Sequence, residues 1–368
     1  MARRKKAICI FLGELVVLVG LLIYSIVRFH DTDDAIVVST NSAGKDYIKW
    51  VSFDVSSKAM DRAYRYDVES QAWDVKINWI ELLALLGNRY GGDFSRYRET
   101  HMTELVNKLK TKEATIESLT KDMKNYKYYY EAYSAVLGGM VGSYKIEVAD
   151  ETAPGGKVWE EKYGLKAYLP IAKYYPYSHF DDFGVSRSYG FRRKHLGHDM
   201  MGQTGTPVIA VESGYVEALG WNQYGGWRIG IRSFDKKRYY YYAHLRKNFP
   251  FNKELKEGSI VQAGDVIGYL GRTGYSSSEN ANNIDTPHLH FGLQLIFDES
   301  QKESNNEIWI DCYSLVQFLY KNRCETVKDP ETKEYHRVYQ FIDPIAEYYL
   351  HHSIYKYEDN EIDIDIYE

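Results

Sequence analysis

Residues 288–295 read HLHFGLQL, and the reading of that stretch decides the fold. As a strand its period of two sends His288 and His290 to one face and Leu289 to the other, so one element presents two imidazoles to one site. Four upstream runs share its β character: TPVIAVESGYVEALGW (206–221), WRIGIRSF (227–234), RYYYYAHL (238–245) and SIVQAGDVIGYL (259–270). They are alternating or β-branched and are separated by glycine-bearing turns. Five such runs predict a compact, mainly antiparallel β domain, placed at 166–300. Tyr239 to Tyr242 then read as alternating core and rim.

Two further pieces share histidines with this strand: His195-Leu-Gly-His-Asp199 and Tyr242-Ala-His244. Extended, four residues span ~13 Å, too far for His195 and Asp199 to share an ion, so Gly197 is expected to turn the chain until both converge. One carboxylate and two imidazoles make the three-ligand set of a catalytic zinc site whose fourth position stays open, and two histidines remain for proton work. His101, His179, His336, His351 and His352 have no such pattern and read as surface or packing residues. The GRTG at 271–274 reads as a turn, because no phosphate-loop lysine follows it.

The ordered stretches HLGHDMMGQTGTPVIAVESGYV (195–216), YYAHL (241–245), GDVIGYLGRTG (264–274) and PHLHF (287–291) resemble the signatures of lysostaphin-type, LytM-like zinc metallopeptidases, the peptidoglycan endopeptidases. The likeness runs from about Tyr189 to Leu295, under a third of the chain. It implies a lysostaphin-like, duplicated-hybrid-motif fold, a Zn2+ held by His195, Asp199 and His290, and His288 and His244 as the catalytic pair. Two departures stand out: the segment between FRRK and the first ligand is short, and His198 occupies a place that is usually apolar in the family. As the neighbour of Asp199 on an extended stretch, His198 should face the other way, which favours His195 as the ligand. Amide hydrolysis would then use the metal to activate water, His288 as general base and His244 to stabilise the oxyanion, the last two roles being interchangeable on sequence.

The rest of the 368 residues reads as modular. Residues 1–28 form a basic stub (Arg3, Arg4, Lys5, Lys6) and an N-terminal transmembrane helix. The apolar stretch 7–27, broken only by Glu14, suffices to cross a ~30 Å hydrocarbon core. The flanking charges keep the N-terminus in the cytoplasm and the remainder outside. A polar linker (29–50) leads to a small all-α domain at 51–141 with helix-period apolar positions such as Leu82, Leu83 and Leu86. Its one obvious carboxyl candidate for a lytic role, Glu81, reads instead as a solvated helix-face charge, so the domain is expected to be a spacer or docking module. A connection carrying Pro154, Gly155 and Gly156 spans 142–165. C-terminal helices and an acidic tail occupy 301–368, with Cys312 and Cys324 expected as free thiols held apart along one helix.

With 46 basic and 51 acidic residues, the net charge of -5 excludes a general nucleic-acid binder. The 35 tyrosines suit sugar and peptide surfaces as well as packing. Together these features predict a membrane-anchored, outward-facing zinc endopeptidase acting on peptidoglycan, with a regulatory protein as a further expected partner. The rival is a latent or non-catalytic wall-binding scaffold of a division or sporulation complex.

Overall fold

The computed structural model describes residues 38–40, 46–188, 192–302 and 306–352. The stretch 7–27 expected to cross a membrane, Cys9 within it and the tail from 353 onward lie outside the described residues. Among the described residues no helix is long and apolar enough to cross a membrane. The chain divides into two compact units, 1–50 and 51–368. In the first, strands Val38–Thr40 and Asp46–Ile48 pair antiparallel. The second contains the rest of the fold.

Five helices open the second unit: α1 (Ser57–Ser70), α2 (Trp79–Tyr90), α3 (Glu99–Lys110), α4 (Ile116–Thr120) and α5 (Tyr126–Leu137). The ends of α1 and α2 have local causes. Ser56 accepts a hydrogen bond from the Ala59 amide, Asn78 from those of Ile80 and Glu81, and Gly91 ends α2 in the left-handed conformation. Trp79, Ile80, Leu82, Leu83, Leu85 and Leu86 are all buried, so α2 is apolar around most of its circumference and forms the centre of this layer. A Cβ on Gly87 would lie 2.8 Å from the Tyr133 hydroxyl, so this glycine lets α5 approach α2 closely.

The stretch 142–165, expected as a polar connection, is instead a two-stranded hairpin with its turn at 150–156. Strands β1 (Val141–Ala149) and β2 (Lys157–Leu165) form a hairpin with register Val141↔Leu165 to Ala149↔Lys157, turned where Gly155 and Gly156 adopt positive φ. Charged residues on its outward face hid the alternation. The hairpin and helices are tied through Asp67, which accepts hydrogen bonds from the Tyr163 hydroxyl (2.7 Å) and the Trp79 amide (2.9 Å). Burial raises the Asp67 carboxyl pKa, and these bonds oppose the shift.

Twelve further short strands follow in chain order: β3 (Ser178–His179), β4 (Ser186–Ser188), β5 (Arg192–Lys194), β6 (His198–Met201), β7 (Pro207–Ile209), β8 (Gly214–Asn222), β9 (Gly226–Ser233), β10 (Arg238–Ala243), β11 (Ile260–Val261), β12 (Val266–Tyr269), β13 (His288–Leu295) and β14 (Ile308–Ile310). Eight form the main antiparallel sheet, in the order β11-β8-β9-β10-β13-β6-β3, with β14 also on β13. The mainly antiparallel β domain expected from the five runs is therefore present. Strand β13 is central: β10 lines one edge, while β6 and then β14 share the other.

The C-terminal segment, expected to be helical, is mixed. It has helices α6 (Tyr313–Leu319) and α7 (Pro344–His352), but also strands β15 (Thr326–Lys328), β16 (Tyr335–Arg337) and β17 (Phe341–Ile342). Strand β17 extends the β1–β2 hairpin through Phe341↔Ile146. Cys312 and Cys324 are free and buried as expected, although Cys324 lies beyond the end of α6 rather than on one long helix with Cys312.

Two of the contacts that tie the five opening helices to the rest of the unit involve Phe318 and Arg238. Phe318 of α6 packs against Trp79 and Tyr64 at ring-centroid distances of 5.7 and 5.9 Å. Arg238 at the start of β10, 2% exposed, binds both Glu212 oxygens (2.7 and 3.0 Å) and donates to the Ala135 carbonyl near the end of α5 (3.0 Å). That carbonyl is among the acceptors a helix end leaves unsatisfied.

Candidate metal centre and active site

Strands β6 and β13 set the site. Their register pairs His290 with Asp199 and His288 with Met201, so His290 and Asp199 are direct cross-strand neighbours on one face. His195 precedes β6 and reaches the same point. Its Nε2 lies 3.1 Å from Asp199 Oδ1 and 3.2 Å from His290 Nδ1, and His290 Nδ1 is 2.9 Å from Asp199 Oδ1. Four-coordinate zinc with bonds of ~2.0–2.1 Å spaces its ligands about 3.3 Å apart, so these three donor atoms are disposed like ligands of one ion. Two imidazole nitrogens and a carboxylate oxygen are also a donor set zinc accepts.

The chain bends at Gly197, as expected, and His195 and Asp199 converge. A Cβ there would lie 2.5 Å from His290 Cε1 and Nε2, so glycine makes room for the ligand ring. His198 points to the opposite face, buried, with Nε2 2.8 Å from His179 Nδ1 and its ring near Tyr313. Burial, then the neighbouring His179, lowers its pKa to about 4. His179, read from sequence as a surface or packing residue, is thus the partner of His198.

Neighbouring groups orient the three side chains. Asp182 accepts from His195 Nδ1 through Oδ1 (3.1 Å), which leaves Nε2 aimed at the cluster. Arg187 donates to Asp199 Oδ2 (2.6 Å) and to the Asp182 carboxylate, leaving Asp199 Oδ1 for the cluster. Burial acts to raise the Asp199 carboxyl, but hydrogen bonds and charge from His195, His290 and His288 prevail and hold it well below the carboxylate range. Burial also lowers the His290 pKa against the opposing pull of Asp199, favouring the neutral ring a metal requires.

His288 and His244 stand beside the cluster with ring centroids 4.8 Å apart. His288 Nδ1 lies 2.8 Å from the Thr286 carbonyl, and His244 Nδ1 2.9 Å from the Thr273 carbonyl. A carbonyl only accepts, so each Nδ1 carries the proton and each Nε2 keeps a lone pair. His288 Nε2 is 3.7 Å from Asp199 Oδ2. His244 follows β10 with φ 61, a conformation uncommon for a residue with a side chain. Burial, then the nearby His288 and His290, pushes its pKa well below the imidazole range.

All five residues singled out in the sequence therefore converge. Sequence reasoning missed the supports: Asp182, Arg187 and the carbonyls of Thr273 and Thr286. A carbonyl leaves no trace in side-chain identity. Asp182 and Arg187 lie upstream of the motif in a stretch with no periodic pattern.

Residues 193–305 match the profile of Peptidase family M23. The L-Ala--D-Glu endopeptidase of Bacillus subtilis is 44% identical over 125 residues, which are 34% of this chain and 36% of that protein. Lysostaphin of Staphylococcus simulans is 41% identical over 98 residues, 26% of this chain and 17% of that protein. The chain thus spans little more than a third of the first of these relatives and less of the second. In fold, a Ruminococcus gnavus lytM protein superposes over 76% of this chain and 93% of its own, with a TM-score of 0.51 and 21% identity.

Proposed function

Because residues 193–305 belong to peptidase family M23, of the lysostaphin type, we propose that this chain is a zinc-dependent endopeptidase hydrolysing peptide bonds in peptidoglycan stems or cross-links. The observation that carries the proposal is the meeting of His195 Nε2, Asp199 Oδ1 and His290 Nδ1 within 3.2 Å, beside two imidazoles locked in one tautomer.

In this reading His195, Asp199 and His290 hold the zinc. Bound there, the ion supplies Lewis acidity, making a scissile carbonyl more electrophilic and water more acidic. The chain's own groups move the protons. His288 accepts one at Nε2, which lies 3.7 Å from Asp199 Oδ2. His244 enters the reaction neutral, since burial disfavours its charged form. The proton held by His288 goes to the leaving amine as the tetrahedral carbon collapses, and the neutral His244 ring beside it shares that transfer through Nε2.

The relatives' names point to more than one kind of bond, L-Ala–D-Glu and glycyl-glycine among them. The stretch 7–27 would anchor the chain in the cytoplasmic membrane with residues beyond it outside the cell, facing the wall. The helical layer would serve as a spacer or docking module for a regulatory partner.

The test is His288→Ala beside His244→Ala in the purified ectodomain. Each variant should keep zinc and lose at least 100-fold in release of peptidoglycan fragments, the scale of a general acid–base contribution of ~10²–10⁴. Full turnover in either would refute that residue's role.

A further inference from the structure

Strand β2 is an edge of the three-stranded sheet β17-β1-β2. The hydrogen bonds at the two ends of its hairpin set which way its backbone groups point. The Asp150 amide donates to the Gly156 carbonyl and the Lys166 amide to the Met140 carbonyl. Even-numbered residues of β2 therefore turn their amide and carbonyl towards β1, and odd-numbered ones turn theirs away. At the far end, helix α1 takes up this outward row: the Tyr64 hydroxyl accepts from the Leu165 amide (3.3 Å), and the Tyr163 hydroxyl donates to Asp67 (2.7 Å). Nearer the turn, the outward amides and carbonyls of Trp159 and Glu161 have no backbone partner among the described residues. Trp159, at the middle of this open stretch, is 48% exposed.

We propose that a second copy of this chain adds its own β2 to this edge, antiparallel about a two-fold axis at Trp159. Because α1 covers 163–165, the stretch left to pair is 157–161, and Trp159 is its midpoint. In that register Trp159 faces its own copy and Lys157 faces the partner's Glu161, so an aromatic pair and two opposite-charge pairs line one face. Residues 157, 159 and 161 are also the ones whose backbone groups point outward, so the ladder closes without a mismatch. Moving the axis to Glu160 or Glu161 would set like charges against each other, and the second shift would also need the end that α1 covers. Edges that avoid pairing are commonly blunted by a proline or a bulge; Lys157–Leu165 contains no proline and its register with β1 is unbroken. This association uses none of the metal-centre residues and stands apart from the endopeptidase reading.

The experiment follows the mass of the purified, zinc-loaded full chain against concentration by sedimentation. Wild type should pass from monomer to dimer as concentration rises. Glu161→Pro removes an amide that points away from β1, so the hairpin keeps its own hydrogen bonds while each copy loses one to the other. Its dissociation constant should rise by about 10- to 100-fold, with zinc content unchanged. A covalent trap needs no comparison of stability. In a Cys9→Ser background, where Cys312 and Cys324 are buried, Trp159→Cys should give a disulfide-linked dimer on mild oxidation. Facing residues of a hydrogen-bonded antiparallel pair have Cα atoms ~5.5 Å apart, within disulfide reach. Glu160→Cys, on the other face and ~7–8 Å from its own copy, should cross-link at least ~10-fold more slowly. A chain that stays monomeric at every concentration, an unchanged dissociation constant in Glu161→Pro, or equal cross-linking by the two cysteines overturns the proposal. So does a monomer that dimerises only once the acidic tail beyond His352 is removed, which would give the edge to that tail.

Discussion

Substituting Gly197 by alanine tests the geometry of the metal centre without touching any proposed ligand. The added methyl would sit 2.5 Å from His290 Cε1 and Nε2 and 3.1 Å from the Phe291 carbonyl oxygen. Ordinary contact begins near 3.4 Å, so the ring must retreat by about 0.9 Å, the difference from 2.5 Å. Retreat is hindered because the His290 backbone pairs with Asp199 on one side and Ala243 on the other, and Tyr241 stands 6.0 Å from its ring. Metal sites tolerate deviations of only ~0.2 Å in ligand distance, so the cluster loses a ligand or its alignment. We expect zinc affinity to fall by at least ~10–100-fold, as for loss of a group orienting a ligand. Overpacking should cost the metal-free chain about 1–3 kcal/mol. The assay is zinc retention against a competing chelator, with thermal unfolding followed with and without zinc. Because ligand binding stabilises the folded state in proportion to the logarithm of its affinity, the zinc-induced rise in Tm should shrink in step. Gly142→Ala is the control, since its methyl meets nothing closer than Lys166 Cε at 3.5 Å. Wild-type zinc affinity in Gly197→Ala would refute the reasoning.

Asp182→Asn should lower zinc affinity by ~10–100-fold by weakening the hold on His195 Nδ1, and unchanged chelator competition would contradict it. Arg238→Met should destabilise the chain by about 3–5 kcal/mol in urea, because Glu212 is left buried without its guanidinium. Adding Glu212→Gln should restore part of that loss. The pH dependence has a defined sign. His198 has a folded pKa of about 4 against 6.5 unfolded, so the unfolded chain binds the proton first and stability falls as pH drops through this window. The loss in the metal-free chain is roughly 3 kcal/mol, at ~1.4 kcal/mol per unit, and His198→Gln should flatten the slope between pH 6.5 and 4.

The alternation in 288–295 gave both the β domain and the direction of His288 and His290, since a strand's period fixes which side chains share a face. The same argument turned His198 away from the cluster. Gly197 was read correctly as a bend, but its second property, room for a ring brought from 93 residues along the chain, is one no local pattern encodes. The hairpin at 141–165 escaped because Glu147, Glu160, Glu161 and Lys162 make its strands look like a polar connection, while the turn glycines were visible and given the wrong neighbours. Asp182 and Arg187 act through tertiary contacts across the β4–β5 hairpin, so their identity as supports depended on knowing which face that hairpin presents.

The most direct measurement is zinc content together with fragment release from purified peptidoglycan, for the wild-type ectodomain beside His195→Ala. One zinc per chain, with release in the wild type and both lost in the variant, is the expected result. A wild-type ectodomain that binds no zinc, or binds it and releases nothing under any condition, would contradict the proposed activity.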